Sequence, residues 1–294
     1  MFSGIWIPLV TPFHHGQVDT AALRQLVRHY EGAGVSGFVA LGTTGEAALL
    51  SQIERYTVLE TIADACGERT PFLIGVGATD TRDVCAQIRH YERWNSAGYL
   101  VPPPYYVCPS QAGLHWHYAH VAASTARPVM LYNVPKRTGV SIAPDTALAL
   151  AEQPNIIAIK ECVAGHFGAL QDGPLDVLSG DDSALLDCLA HGGTGGILAG
   201  AHLRPELFVA LVAHHRAGRI DEAKRLADAL APLAALLFAE PNPAPVKALL
   251  SAEGRIGPDT RAPILPVSES LHRRLLAAMR ALEDVEADCR LRLA

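Results

Sequence analysis

The sequence lacks the features that mark a membrane, secreted or nucleic-acid-binding protein. None of its apolar runs approaches the roughly 18 uninterrupted residues that a membrane-spanning helix needs. The amino-terminal segment has no basic start and is interrupted by Pro8 and Pro12, which predicts a strand and a turn rather than a signal peptide. No block of lysine and arginine stands out, and the formal net charge is −6. A nucleic-acid or membrane partner is therefore disfavoured.

Paired cysteines are also absent, because no Cys-x-x-Cys motif occurs. The wide spacing of the cysteines predicts reduced thiols rather than disulfides or a zinc site. Hydrophobic residues make up 49% of the chain and charged residues 18%, a composition that allows a large buried core. We therefore expect a cytoplasmic protein that acts on small molecules. The six cysteines are Cys66, Cys85, Cys108, Cys162, Cys188 and Cys289.

Short apolar segments alternate with segments that carry helix signals. Strands that are apolar on both faces are typical of a parallel sheet covered by helices. Eight such strand–helix units predict an α/β fold of the (β/α)8 barrel type. An open doubly wound sheet is less favoured, because no Gly-x-Gly-x-x-Gly motif follows the first predicted strand. The predicted strands are Gly4–Val10, Gly37–Leu41, Pro71–Gly77, Tyr99–Pro102, Pro128–Val134, Ile156–Lys160, Leu175–Ser179 and Gly196–Ala199.

The chain is expected to divide into a barrel of residues 1–218 and a C-terminal region of residues 219–294. No strand pattern occurs in the second part. Three helices are expected there, packed against the barrel, over Ile220–Glu240, Pro245–Glu253 and Ser268–Leu293.

Lys160 is the sharpest candidate for chemistry. It ends an apolar strand, and in such barrels the active site lies at the carboxyl ends of the strands. A partly desolvated position disfavours the charged ammonium form, which suits a lysine that attacks a carbonyl to form a Schiff base. The alternative is an ordinary lysine whose amine reaches solvent at the end of a strand.

Three further positions could assist such a lysine. Tyr132 on the preceding predicted strand would lie one strand spacing away and could transfer protons, although a packed core tyrosine has the same pattern. Thr43 and Thr44, in a Gly-Thr-Thr-Gly turn, offer hydroxyls and backbone N–H groups to a small carboxylate. Arg137, in a loop after Tyr132, could hold a second carboxylate with two hydrogen bonds, or be an ordinary exposed arginine.

Other residues suggest metal or phosphate binding, but more weakly. His115 and His117 resemble the His-x-His pair of metal-dependent barrel hydrolases. They fall in a predicted helix, however, where residues two apart point to different faces. Asp181 and Asp182 could bind a metal but are more typical of a cap on the following helix. The glycines from 192 to 196 lack the ending of a phosphate-binding loop and predict a turn.

Five motifs together resemble the dihydrodipicolinate synthase/N-acetylneuraminate lyase family of class I pyruvate-dependent aldolases. They occur in order along the whole chain, including the C-terminal helices. The motifs are residues 42–46 (GTTGE), 132–135 (YNVP) with 137–139 (RTG), 159–161 (IKE), 179–182 (SGDD) and 240–243 (EPNP).

The resemblance implies a mechanism and an assembly. Lys160 would form an imine with pyruvate, and Tyr132 would be the general acid and base. Thr43 would link Tyr132 to Tyr106 of a neighbouring subunit in a homotetramer built as a dimer of dimers. Thr44 would bind the pyruvate carboxylate. No metal or diffusible cofactor is implied, because the imine is the electron sink.

Two further residues refine the implied activity. The backbone of Ile197 would border the imine. Arg137 resembles the synthase branch, in which this arginine holds the carboxylate of aspartate 4-semialdehyde for lysine biosynthesis. The chain departs from the synthase pattern at Cys108 and over residues 161–166. Gln52 and Arg55 stand where lysine-inhibited synthases have histidines.

Three alternatives remain open from the sequence. A catabolic aldolase or dehydratase acting on a 2-keto-3-deoxy sugar acid would use the same imine chemistry. A metal-dependent hydrolase would use His115 and His117. A binding protein without catalysis would leave Lys160 unused.

Overall fold

The computed structural model describes residues 2–287. Eight parallel strands form a closed barrel in the order β1, β10, β9, β8, β7, β6, β5, β4. The predicted (β/α)8 fold is therefore confirmed. The strands are β1 (Gly4–Pro8), β2 (Phe13–His14), β3 (Gln17–Val18), β4 (Gly37–Ala40), β5 (Phe72–Gly75), β6 (Gly98–Val101), β7 (Val129–Asn133), β8 (Ile156–Glu161), β9 (Asp176–Ser179) and β10 (Gly195–Ile197).

Helices surround the barrel and continue beyond it. The first nine are α1 (Thr20–Gly32), α2 (Gln52–Cys66), α3 (Thr81–Tyr91), α4 (Gln111–Ala123), α5 (Pro135–Thr138), α6 (Pro144–Leu150), α7 (Phe167–Leu170), α8 (Leu185–Ala190) and α9 (Pro205–Arg216). Three more follow: α10 (Ile220–Leu237), α11 (Ala244–Ala252) and α12 (Glu269–Ala281).

Local sequence signals account for several helix starts. The Asp19 carboxylate accepts a hydrogen bond from the Ala22 N–H at 2.9 Å and so caps α1. At the start of α2, Ser51 and Glu54 accept from each other's backbone N–H groups, at 3.3 and 2.8 Å. These two hydrogen bonds form a capping box.

The third helix is shorter than its sequence pattern predicts. The pattern extends from Thr81 to Gly98, but α3 ends at Tyr91. The Arg127 guanidinium donates to the carbonyl oxygens of Glu92, Trp94 and Ser96 at 2.6–2.9 Å. In a longer α3, these carbonyl groups would have accepted the helix's own backbone hydrogen bonds. The hairpin β2–β3 is a second element that the sequence pattern did not predict.

The C-terminal helices pack against one another and against the barrel layer. Helix α10 contacts α9 and α12, and α11 contacts both α10 and α12. The expected end of the last helix at Leu293 lies outside the described residues, as does Cys289. None of the helices within residues 2–287 combines the length and the apolar composition that crossing a membrane would require.

Alternation along the strands separates two layers of side chains. On β8, Ala158 belongs to the cluster inside the barrel, whereas Ile159 belongs to the layer between strands and helices. The same alternation places Lys160 on the inner side and Glu161 on the outer side. On β7, Tyr132 likewise belongs to the inner cluster.

Candidate active site

Lys160 stands at the mouth of the barrel beside Tyr132. The two residues are register partners on β8 and β7. Lys160 is 6% exposed, and its Nζ lies 4.5 Å from the centre of the Tyr132 ring. Within residues 2–287, the structure shows no ion pair or hydrogen bond to this amine. The expected neighbourhood of Lys160 and Tyr132 is therefore present, with the amine left unengaged.

Gly180 allows the close packing around Lys160. It follows β9, and its N–H donates to the Glu161 carbonyl at 2.8 Å. A Cβ at this position would lie 3.0 Å from Lys160 Cε and 2.4 Å from Cys162 Sγ. Only glycine fits this space without a shift of its neighbours. The glycine of the SGDD motif thus has a packing reason that the sequence alone did not reveal.

A cavity of about 460 Å³ opens next to this pair. Its lining includes Thr43, Tyr132 and the exposed Arg137 of α5, but not Lys160, whose amine lies against the Tyr132 ring. Ile197 lies on β10 in the barrel interior and is buried. The structure therefore brings three of the predicted residues to one cavity and places Lys160 and Ile197 in the barrel beside it.

The Gly-Thr-Thr-Gly turn after β4 is held by the C-terminal region. Thr44 is buried, and its Oγ1 accepts a hydrogen bond from Asn242 Nδ2 at 3.0 Å. Glu46 follows with a left-handed backbone (φ 54°), and its carboxylate lies 2.5 Å from Lys247 Nζ. The Glu46 carboxylate also accepts from the Arg261 N–H at 2.9 Å.

The Lys247–Glu46 pair is completely buried. Burial lowers the pKa of Lys247, and the Glu46 carboxylate opposes that shift. The sequence motifs contained Asn242 and Glu46, but no pattern assigned them a role. Their contacts join segments about 200 positions apart, which local sequence cannot show.

A second polar cluster surrounds Glu161, the last residue of β8, on the outer side of the barrel. Glu161 is fully buried and accepts from Asn133 Nδ2 at 2.9 Å, from the Val163 N–H at 2.7 Å and from His166 Nδ1 at 3.2 Å. Burial raises the pKa of Glu161, and these donors oppose the shift. The side-chain oxygen Oδ1 of Asn133 accepts from the Ile142 N–H at 2.9 Å.

The adjacent aspartates have different roles. Asp181 accepts from the N–H and hydroxyl of Ser183, at 2.9 and 2.7 Å, and is the expected cap. The same expectation was wrong for Asp182, which accepts instead from the N–H groups of Gly200 and Ala199 after β10. Burial raises the pKa of Asp182 to about 6, and these N–H donors oppose the rise.

The two histidines of α4 do not converge. His115 is exposed, whereas His117 is buried with its Nδ1 2.8 Å from Thr81 Oγ1. Burial lowers the pKa of His117 to about 4. No group of three potential metal ligands occurs among residues 2–287. The geometry gives no support to a metal-dependent hydrolase built on this pair.

Tyr106 does not reach the cavity of its own chain. Its side chain is 91% exposed, and its backbone has a positive φ of 74°. Tyr105 and Val107 beside it are also exposed, although Tyr105 is among the residues that line the cavity. The side chains of this segment therefore face away from the protein core.

Comparison with known proteins agrees with the site motifs. The sequence model of the "Dihydrodipicolinate synthetase family" matches residues 1–282. The 4-hydroxy-tetrahydrodipicolinate synthase of Geobacter sp. (strain M21) is 38% identical over 285 residues, which cover 95% of this chain and 98% of that protein.

Two solved structures show the same fold over nearly the whole chain. The 4-hydroxy-tetrahydrodipicolinate synthase of Methylacidiphilum fumariolicum SolV is 33% identical, with a TM-score of 0.96 and 99% of both chains covered. A structure described as the first monomeric dihydrodipicolinate synthase variant is 31% identical, with a TM-score of 0.93, 95% of this chain and 96% of that chain covered.

Proposed function

The chain belongs to the dihydrodipicolinate synthetase family, and from that premise we propose that it joins pyruvate to aspartate 4-semialdehyde through an imine on Lys160. The family expected from the sequence motifs is confirmed, and so is the expected kind of enzyme, a synthase of the lyase class. The observation that carries the proposal is the buried Lys160 amine, which lies against the ring of Tyr132 and has no hydrogen-bond or ion-pair partner among residues 2–287.

The first bond forms between Lys160 and pyruvate. The amine adds to the C2 carbonyl carbon, and the carbonyl oxygen leaves as water after two protons have been transferred to it. Loss of a C3 proton from the imine gives an enamine, whose C3 attacks the aldehyde carbon. The imine nitrogen is the electron sink in this scheme, so no metal or diffusible cofactor takes part.

Tyr132 is the proposed acid and base for these proton transfers. Positioned acid–base groups typically contribute about 10²- to 10⁴-fold in rate. Thr43 lines the same cavity and would connect Tyr132 to Tyr106 of a neighbouring subunit. The backbone of Ile197 would border the imine.

Two residues are proposed to bind the carboxylates of the substrates. The Thr44 hydroxyl would donate to the carboxylate of pyruvate. Arg137 is exposed at the cavity rim and would form a bidentate pair with the carboxylate of the aldehyde substrate. This position at the rim favours a role with the second substrate rather than with the imine.

Borohydride trapping tests the central step. Reduction in the presence of pyruvate is expected to attach one pyruvate-derived group to Lys160, located by mass spectrometry of peptides. Lys160→Met should give no adduct. Lys136→Met removes an exposed lysine near the same cavity and should leave trapping intact. An adduct on another residue, or none with the wild-type protein, would refute the proposed mechanism.

We also propose that the active form is a homotetramer, a dimer of dimers, in which Tyr106 completes the site of a neighbour. The exposed side chains of Tyr105, Tyr106 and Val107 support an interface, because adjacent apolar groups on a projecting segment favour burial by a partner. One structural relative is described as a monomeric variant. The assembly of this chain is therefore a separate question from its fold.

Mixed assembly tests the shared site. Tyr106→Phe and Lys160→Ala proteins, each with little activity alone, should recover part of the activity after co-assembly. A mixed dimer would contain one site with an intact Lys160 and the partner's intact Tyr106. Light scattering verifies the assembly. Full assembly without recovered activity would show that each barrel works without a tyrosine from its neighbour.

A further inference from the structure

Asn242 has one engaged amide atom and one free amide atom beside the cavity. Its side chain is 6% exposed and belongs to the cavity lining. Nδ2 donates to Thr44 Oγ1 at 3.0 Å. Oδ1 is buried and has no hydrogen-bond partner among residues 2–287. A buried carbonyl oxygen without a donor costs free energy, which points to a group supplied from the cavity.

The direction of this hydrogen bond determines what Thr44 can do. A threonine hydroxyl has one proton to donate and two lone pairs to accept with. Because Asn242 Nδ2 donates, Thr44 Oγ1 is the acceptor in this contact. No other side-chain hydrogen bond to Thr44 occurs within the described residues. The single proton of the hydroxyl therefore remains available for another acceptor.

We infer that Asn242 is a positioning residue that makes Thr44 a hydrogen-bond donor to the carboxylate of pyruvate. The inference rests on the proposed function, in which Thr44 binds that carboxylate. Asn242 lies between α10 and α11. The C-terminal region therefore determines that the Thr44 hydroxyl, in the turn after β4, accepts from Asn242 and can donate its own proton elsewhere. The free Oδ1 accepts a hydrogen bond from bound substrate or from water beside it.

Asn242→Asp is the sharpest substitution, because it keeps the side-chain shape and replaces the donor with an acceptor. An ionised aspartate would accept a hydrogen bond from the Thr44 hydroxyl, which could then no longer donate to pyruvate. It would also place a negative charge beside the bound carboxylate. The pyruvate concentration for half-maximal borohydride trapping should rise about ten- to a hundredfold, the range for a lost hydrogen bond to a charged group. The maximal extent of trapping should change much less.

Asn155→Asp is a matched control. Asn155 precedes β8 at the opposite end of the barrel, and its Nδ2 donates to the carbonyl oxygens of Ala122 and Thr125, both at 3.0 Å. The same chemical change there should lower thermal stability and leave the pyruvate dependence of trapping unchanged. A similar shift in both variants would show a general effect of the substitution and would overturn the inference.

A double-mutant cycle distinguishes action through Thr44 from a merely structural role. Asn242→Leu removes the donor without adding charge and serves where Asn242→Asp does not fold. Combined with Thr44→Val, it should weaken pyruvate binding no more than Thr44→Val alone. Additive losses would refute the coupling.

The two proposals can fail separately. If the wild-type protein traps pyruvate on Lys160 and both Asn242 variants keep the wild-type pyruvate dependence, only the role of Asn242 is wrong. If the wild-type protein traps none, the proposed function is wrong first.

Discussion

The last two residues of β8 have opposite surroundings although they are neighbours in sequence. Lys160 points into the barrel, where its amine contacts the face of the Tyr132 ring. Glu161 points outward, where three groups donate to its carboxylate: the Asn133 amide, the Val163 N–H and His166 Nδ1. Both side chains are buried. The two residues differ in how completely their hydrogen-bonding capacity is used.

This difference distinguishes a reactive position from a structural one. A buried polar group whose partners are all present stabilises the fold, because removing it leaves several other groups unpaired. A buried polar group with few partners contributes little to stability and can bind or react with a ligand. By this criterion Lys160 and the Asn242 Oδ1 are candidates for contact with a ligand, whereas Glu161 is a candidate for stabilising the strand end that carries Lys160.

The comparison predicts opposite effects of two adjacent substitutions. Glu161→Ala should lower the free energy of unfolding by about 3–5 kcal/mol, because it removes from a buried cluster the acceptor of the Val163 N–H and of the 2.9 Å hydrogen bonds from the Asn133 amide. Lys160→Met should abolish trapping of pyruvate and change the unfolding free energy by less than about 1 kcal/mol, since no described partner is left unpaired. Urea denaturation and borohydride trapping measure the two quantities.

Glu161→Gln is the matched control for the first substitution. It keeps the shape of the side chain and one accepting oxygen, so its loss of stability should be smaller than that of alanine. If Lys160→Met destabilises the protein more than Glu161→Ala does, the number of hydrogen-bond partners does not distinguish a reactive buried residue from a structural one.

Sequence patterns were sufficient for the barrel and for the residues along its strands. Short apolar segments predicted eight strands in the right places. Alternation along β7 and β8 then puts Tyr132 and Lys160 on the inner face, and the register of the two strands makes them neighbours. The reason is that these features depend on neighbours in sequence. The resemblance to a known family added the expected link from Thr43 to Tyr106 and the identity of the carboxylate that Arg137 would hold, neither of which follows from spacing alone.

Long-range contacts account for what the sequence did not show. Helix α3 ends early because Arg127, more than thirty positions away, binds carbonyl groups that follow it. Asn242 reaches Thr44 across 198 positions. Asp182 does not cap the helix that follows it, because the N–H groups of Gly200 and Ala199 come within its reach after the barrel closes. None of these partners could be identified from a local pattern.

The smallest effect that we predict concerns His202. Both nitrogens of its buried ring have hydrogen-bond partners, so the free energy of unfolding should depend on pH through this residue. It is 1% exposed and follows β10. Its Nε2 accepts from the Val10 N–H at 3.2 Å, and its Nδ1 lies 2.8 Å from the Ala199 carbonyl oxygen. A neutral ring with its proton on Nδ1 makes both hydrogen bonds. Burial lowers the pKa of His202 to about 4.

The sign of the effect follows from proton uptake. An unfolded histidine has a pKa of about 6.5, so below that pH the unfolded chain binds a proton that the folded protein does not. The stability contributed by neutral His202 is complete above about pH 6.5 and is lost as pH falls toward about 4. At pH 5.5 the loss is about 1 kcal/mol. His117 acts in the same direction, and Asp182, with a pKa of about 6, acts in the opposite one.

The measurement is therefore a difference between two proteins, in which the contributions of His117 and Asp182 cancel. His202→Gln should be less stable than the wild type at pH 7.5, and the gap in unfolding free energy should narrow as pH falls to 5, because only the wild type loses the His202 contribution. His115→Gln changes an exposed histidine and should leave the pH dependence as it is. A constant gap across this range would show that His202 does not stay neutral in the fold, and that full hydrogen bonding at this position does not couple stability to pH.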